Sequence, residues 1–321
     1  MKRVLVTGAN GFVGRFLCAL LSERGWQVRG TVRHPKSFPS LPKNVAPIAT
    51  GDIESFQDWH DTLGDVDAIV HLVARTHVMR DQASNPLELY RSVNVRGTQR
   101  LLEGCRRTNV KRFVFVSSIK AVGERSEKAC EEIDACMPET PYGQTKLEAE
   151  RLLLDAAGAM GIAPVILRPP LVYGAGVPGN FLRMLRAVDL GIPLPCWSIK
   201  NRRSLVYVGN LASAIAECLE HPNATGEVFH VADNLPVSTS ELISEMASAL
   251  GKKERLLPTP VSMIRAAGYL TGRQDEVSRL LDSLTLSTEK IKRRIGWEPG
   301  VSLKEGLDAT VRQYRIGNRS F

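Results

Sequence analysis

Through the first 175 residues, short runs of β-branched and other apolar residues alternate with stretches whose apolar positions recur at helical spacing. Continuous apolar runs suit strands buried on both faces of a parallel sheet, with amphipathic helices supplying the two covers. Residues 3–7, 27–32, 68–72, 112–117 and 164–167 read as strands. Between the first two, Phe12, Val13, Phe16, Leu17, Leu20 and Leu21 share one face of a helix that Arg24-Gly25 closes, so the chain opens with a βαβ unit. Further helices are expected over 87–109 and 142–157. After Tyr173-Gly174 the pattern loosens into loops carrying Gly174, Gly176, Pro178, Gly179, Pro193 and Pro195, with short helices between them. Residues 228–231 are strand-like again. The pattern therefore predicts a doubly wound α/β fold in two parts, with no internal repeat: a sheet domain over 1–175, to which 203–234 returns, and a smaller lobe from 176–202 and 235–321.

Composition narrows the class of protein. The 321 residues are 43% hydrophobic and 24% charged, which is globular and sufficient for one large domain or two packed ones. Met1-Lys2-Arg3 leads straight into a short apolar run and a glycine turn, and no later stretch reaches the ~18 apolar residues of a membrane span, so a cytoplasmic protein is expected. Cys18, Cys105, Cys130, Cys136, Cys196 and Cys218 are scattered without CxxC or histidine spacing, which predicts reduced thiols and no metal site. The 42 basic and 34 acidic side chains leave +8, and 251–321 alone contributes 14 basic against 8 acidic. Those basic residues are not interleaved with an aromatic platform, so a small phosphorylated anion is expected as partner, and no nucleic acid.

Gly8-Ala9-Asn10-Gly11-Phe12-Val13-Gly14 follows the first strand and opens the first helix. In that context Gly8 permits a tight turn, Gly11 lets the backbone approach a pyrophosphate, and Gly14 allows helix and strand to pack closely. The helix N-terminus then offers free N–H groups to the anion, as in a Rossmann-type dinucleotide site.

From this point the chain resembles the extended short-chain dehydrogenases/reductases, a family that includes UDP-hexose 4-epimerases, nucleotide-sugar dehydratases and 4-ketosugar reductases. The resemblance runs in order through 7–14, Gly51-Asp52-Ile53, His71-Leu72-Val73-Ala74, Asn94-Val95-Arg96-Gly97-Thr98, Val116-Ser117-Ser118, Tyr142-Gly143-Gln144-Thr145-Lys146 and Leu167-Arg168-Pro169. It implies that Asp52 and Ile53 flank an adenine, and that Leu72, Ala74 and Asn94 line the cofactor cleft. It also implies a homodimer, in which the helices at 87–109 and 142–157 could pair.

Tyr142 and Lys146 lie four residues apart on an expected helix and share a face. A tyrosine of pKa near 10 is a poor base at neutral pH, and an adjacent ammonium lowers that value. By resemblance Lys146 also holds the nicotinamide ribose. Ser118 stands at the carboxyl end of a parallel strand, where open α/β sheets bind ligands. Together Ser118, Tyr142 and Lys146 match the family centre that moves a proton while a nicotinamide moves a hydride. No GxSxG elbow suggests a hydrolase. Ile119 and Lys120 stand where family dehydratases carry an Asp-Glu pair after the first hydroxyl, which sets water elimination aside. Lys120 either points its charge at substrate or is solvated.

On the substrate side, Asn180-Phe181-Leu182 and the segment from Arg203 to Val208 match stretches that hold the UDP moiety in nucleotide-sugar members. Arg203 would pair with a diphosphate oxygen, Arg202 competes for that role, and Arg279 would add a second contact. Leu171 stands where the family's epimerases usually carry Asn. The second strand ends in Thr31-Val32-Arg33 without an acid, so Arg33 is expected to meet a 2′-phosphate and select NADP. The expected activity is reduction of a UDP-4-keto-6-deoxy-HexNAc to UDP-FucNAc or UDP-QuiNAc for surface polysaccharide. The alternatives are a UDP-glucose or UDP-GlcNAc 4-epimerase with tightly held NAD, and a catalytically idle NAD(P)-sensing binder.

Overall fold

The computed structural model describes residues 2–76 and 85–318. The strands are β1 (Arg3–Thr7), β2 (Gln27–Val32), β3 (Val45–Ala49), β4 (Ala68–His71), β5 (Arg112–Val116), β6 (Ala163–Arg168), β7 (Leu171–Tyr173), β8 (Leu205–Tyr207) and β9 (Val228–His230). Seven of them form one parallel sheet in the order β3-β2-β1-β4-β5-β6-β9, and β7 and β8 pair separately. The strand order reverses between β1 and β4. The chain runs outward in both directions from there, leaving a crevice at the carboxyl ends of the central strands.

Alternation along β1 sends Val4 and Val6 to one face and Leu5 to the other, each into its own core. The first face is covered by the helices Phe12–Glu23 and Val208–Glu220, the second by Gly97–Gly104 and Pro141–Met160. A third core, around Tyr173, Phe181, Leu185, Met246 and Leu307, fills the smaller lobe. Among the described residues no helix is long and apolar enough to cross a membrane.

Three local readings need correction. Strand β3 was not expected, because its sequence Val-Ala-Pro-Ile-Ala contains Pro47; the strand lies at the sheet edge, where a missing N–H costs no ladder bond. The helix expected over 87–109 is Pro86–Arg91, then a π turn at Ser92–Arg96, then Gly97–Gly104. Apolar spacing does not reveal such a turn, because it adds one residue without changing which residue types are buried. Several strand ends move by one residue, and β9 closes the sheet beside β6.

Candidate active site

The glycine turn has the backbone that its sequence requires. Gly8 has φ +69°, its N–H donates to Thr31 Oγ1 at 3.3 Å, and its carbonyl accepts from the Gly11 N–H at 2.9 Å. A methyl at Gly14 would sit 2.7 Å from the Ala9 carbonyl oxygen, so only glycine lets the helix start this close to the turn. Gly11 caps that helix without a side-chain hydrogen bond, leaving first-turn N–H groups to face an anion. Beside the turn lies a cavity of about 140 Å³, bordered by Asn10, Thr31, Arg33, Asp52 and Ile53 among others. Arg33 is paired across it with Asp52 at 2.7 Å. Phe12 and Val13 pack into the lobe core and the first-face core respectively, and Leu72 into the latter. Turn, helix terminus and adjoining cavity together fit a dinucleotide.

A chain of hydrogen bonds ties the strand ends at the switch point to the second-face helices. The Leu72 N–H donates to Thr7 Oγ1 at 3.1 Å, so the Thr7 hydroxyl proton is directed to His71 Nδ1 at 2.6 Å. His71 Nε2–H then faces Thr98 Oγ1 at 3.0 Å, and Thr98 donates onward to the Asn94 carbonyl at 2.7 Å. The Asn94 side chain accepts from the Arg75 N–H at 2.8 Å and donates to Thr145 Oγ1 at 2.9 Å; Thr145 donates back to the carbonyls of Pro141 and Tyr142. Burial, with Lys146 nearby, pushes His71 down to about 3, so it is neutral. Asn94, expected in the cofactor cleft, therefore links the loop after Ala74 to the Tyr142 helix. The π turn supplies the carbonyl that Thr98 uses.

Pro141–Met160 is a 20-residue helix capped by Thr140, with Pro141 in its first turn. Tyr142 is half-buried, with Ser118 near enough to its hydroxyl to favour the phenolate. Ser118 itself begins a short 3₁₀ turn, accepting from the Lys120 N–H at 3.2 Å. The structure thus brings Ser118 and Tyr142 together. It reverses one expectation. Burial pushes Tyr142 up to about 12, against the influence of Ser118, and nearby Tyr90 and Glu124 push the same way as burial. Lys146 is itself driven down to about 7 by burial, with Glu150 opposing, so it carries only part of a charge at neutral pH. Its Nζ donates to the Val116 carbonyl at 2.7 Å and lies 3.9 Å from the Phe115 ring centroid. Glu150 is held by a buried, two-pronged contact with Arg168, the arginine of the Leu167-Arg168-Pro169 motif.

Tyr142 opens onto a second cavity, of about 510 Å³, bordered also by Tyr90, Glu124, Thr140, Arg279 and Asp282. Lys120 is not solvated: its Nζ lies 2.6 Å from Glu124 in a pair with side chains about one-fifth exposed. Arg203 is not a surface arginine either. It donates to the Asp282 carbonyl at 2.9 Å, and burial lowers its pKa against Glu124 and Asp282, with Arg279 adding repulsion. Arg279 and Arg203 both act on Lys120, so three cations from distant segments cluster with the carboxylates of Glu124 and Asp282. Arg202 is exposed, its backbone N–H donating to Ser283. Asn180 is exposed in the first turn of Gly179–Asp189, bonded by Arg183, and is not among the residues bordering this cleft. The sequence reading missed Glu124, since nothing in its neighbourhood signals that the turn faces Thr140. It also missed Thr98, whose role depends on His71, 27 residues away in the chain. Among the described residues no group of three His, Cys, Asp or Glu could hold a metal ion.

Comparison with known proteins agrees with this geometry. The family model described as NAD dependent epimerase/dehydratase family matches residues 4–232. The UDP-glucose 4-epimerase of Vibrio cholerae is 39% identical over 322 residues, covering 99% of this chain and 97% of that one. Among solved structures, the UDP-glucuronic acid 4-epimerase of Bacillus cereus in complex with NAD superposes with a TM-score of 0.79 at 25% identity, covering 98% of this chain and 99% of that one. The UDP-glucose 4-epimerase of Thermotoga maritima with UDP-glucose shares the fold at a TM-score of 0.81 and 24% identity, covering 99% and 100%.

Proposed function

We propose that this chain, which belongs to the NAD dependent epimerase/dehydratase family, inverts C4 of a UDP-linked hexose or N-acetylhexosamine with NAD as its resident cofactor. The observation that carries the reading is one cleft bordered by both Tyr142 and Arg279, with Lys120 and Arg203 close enough to Arg279 to feel its charge. Such a site pairs a proton-transfer group with cations suited to a diphosphate. Identity of 39% to the Vibrio cholerae 4-epimerase over nearly the whole chain supports epimerisation over one-way reduction.

The Gly8–Gly14 turn and the helix behind it would hold the pyrophosphate; Thr31, Asp52 and Ile53 would border the adenosine; Tyr142 and Lys146 would meet the nicotinamide ribose. Asp52 supports NAD over the NADP expected from Arg33 alone. Its carboxylate neutralises the guanidinium that a 2′-phosphate would need, and offers a ribose hydroxyl an acceptor. Bound NAD supplies the hydride acceptor and donor for C4. Tyr142 Oη takes the proton of the C4 hydroxyl and returns it, while Ser118 Oγ holds the same oxygen. With its pKa near 12 the unliganded Tyr142 is a phenol, so it must first release its own proton to solvent before it can take the one on the C4 hydroxyl. A full positive charge on Lys146, one turn along the helix, favours that release.

The second reading, an NADPH-dependent 4-ketoreductase forming UDP-FucNAc or UDP-QuiNAc, is favoured by Leu171 at a position where epimerases usually carry Asn. One experiment separates them. Purified protein that retains non-exchanging NAD and interconverts UDP-glucose with UDP-galactose, or UDP-GlcNAc with UDP-GalNAc, without added cofactor is the epimerase. Turnover only with NADPH and a UDP-4-keto-6-deoxy-HexNAc, with the NADPH preference lost in Arg33→Ala, identifies the reductase. Activity in neither assay leaves an idle binder.

A further inference from the structure

The turn after Ser118 and the start of the Tyr142 helix are packed backbone to backbone. A methyl at Gly143 would lie 3.0 Å from the Lys120 carbonyl carbon, so nothing larger than glycine fits between them. One side chain spans both elements. Glu124 accepts from Lys120 Nζ at 2.6 Å and, through its other oxygen, from Thr140 Oγ1 at 2.8 Å. Lys120 is two residues beyond Ser118, and its N–H is bonded to the Ser118 hydroxyl. Thr140 is the N-cap of the helix, its hydroxyl accepting from the Gly143 N–H at 3.3 Å. By taking the Thr140 hydroxyl proton, Glu124 leaves the oxygen lone pair aimed at Gly143, which is what the cap requires.

We propose that Glu124 is a positioning residue for the reacting pair: one carboxylate fastens the Ser118 turn, through Lys120, to the first turn of the Tyr142 helix, through Thr140, so that both hydroxyls meet the same sugar oxygen. The proposal rests on the reading of Ser118 and Tyr142 as the proton-transfer pair. The charge of Glu124 has a second effect. Among the groups facing it are Lys120 from its own turn, Thr140 and Tyr142 from the helix, and Arg203 from the segment before β8; Arg279 acts on Lys120 and Arg203, and Tyr90 stands beside Tyr142. Among these, Glu124 and Tyr90 favour the protonated phenol, and Ser118 favours the phenolate. Glu124 thus holds the geometry and also keeps the proton on Tyr142 until substrate and cofactor bring further charge.

Two variants separate these effects. Glu124→Gln keeps an acceptor for Thr140 but removes the charge, and Glu124→Ala removes both. The Tyr142 titration is isolated as the difference in phenolate absorbance between each protein and its Tyr142→Phe counterpart, which needs no turnover. In Glu124→Gln its midpoint should fall by roughly half a pH unit or more, and the acid limb of the kcat profile should move with it. In Glu124→Ala, kcat should fall by about tenfold or more with KM within about threefold, and Glu124→Gln, which keeps one accepting oxygen of two, should recover part of the loss. An unmoved Tyr142 midpoint in Glu124→Gln, an unchanged kcat in Glu124→Ala, or a loss confined to KM overturns the proposal. Should Glu124→Ala not fold, the titration and kcat of Glu124→Gln decide alone. A wild-type protein inactive on every UDP-sugar would defeat the functional reading while the titration still judges Glu124.

Discussion

The glycine-turn side of the crevice is drawn mainly from Gly8, Asn10, 31–33 and 50–54, at the carboxyl ends of three adjacent strands. The side facing Tyr142 gathers Glu124, Thr140 and Arg279 from segments far apart in the chain, with Lys120 and Arg203 beside them. The first is shaped by backbone: a left-handed glycine, a helix start without a side-chain cap, and a neutral histidine at the foot of β4. The second is shaped by part-buried charge, Lys120 restrained by the Glu124 carboxylate and Arg203 by the Asp282 carbonyl. A backbone-built site depends on local sequence and holds a ligand common to many relatives. A charge-built site can be retuned by single substitutions, so it is where specificity within such a family can diverge.

Three changes would break or sharpen that contrast. Tyr142→Phe removes one hydroxyl and little volume, so turnover should fall by about a hundredfold or more while NAD binds as before; calorimetry beside an activity assay reads both, and residual turnover within threefold of wild type would refute the assignment. Acid should attack the backbone-built side first. His71 is lowered from 6.5 to about 3 by burial, so in the interval between those values the unfolded chain binds a proton that the folded one refuses. Stability is therefore lost as pH falls from 6.5 toward 3, and chemical denaturation at several pH values should give a flatter acid limb for His71→Gln than for wild type. Arg203→Ala should weaken UDP binding by about tenfold or more, the effect of losing one charge-assisted contact, and leave NAD affinity alone. Equal UDP affinity in a direct titration would transfer the role to another cation of the cluster.

The same contrast explains what could be read from the chain. The bounds of β1 and β2 and the start of the first helix were legible because apolar runs and glycines there carry both the signal and the structure. Ser118 and Tyr142 were legible through family spacing, and the structure brings them together. The Arg33–Asp52 pair was not legible, because the carboxylate comes from the loop after β3, a strand disguised by Pro47. The pKa of Tyr142 misled for a related reason: helical spacing puts Lys146 on the right face but says nothing of the burial that strips most of its influence. Glu124 gave no signal at all, since a glutamate in a polar turn looks alike whether it faces water or Thr140.

The π turn at Ser92–Arg96 bears on how related chains can diverge in length. The wider turn carries Asn94, whose carbonyl accepts from Thr98 and whose amide donates to Thr145. Deleting a single codon there would restore ordinary winding and turn Gly97–Gly104 by about 100° against the segment before it, drawing Thr98 away from His71. This stretch can therefore exchange many of its letters across generations but cannot shed one. The glycine-rich passage at 174–179 carries no comparable hydrogen-bond relay, and is the place where insertions can accumulate.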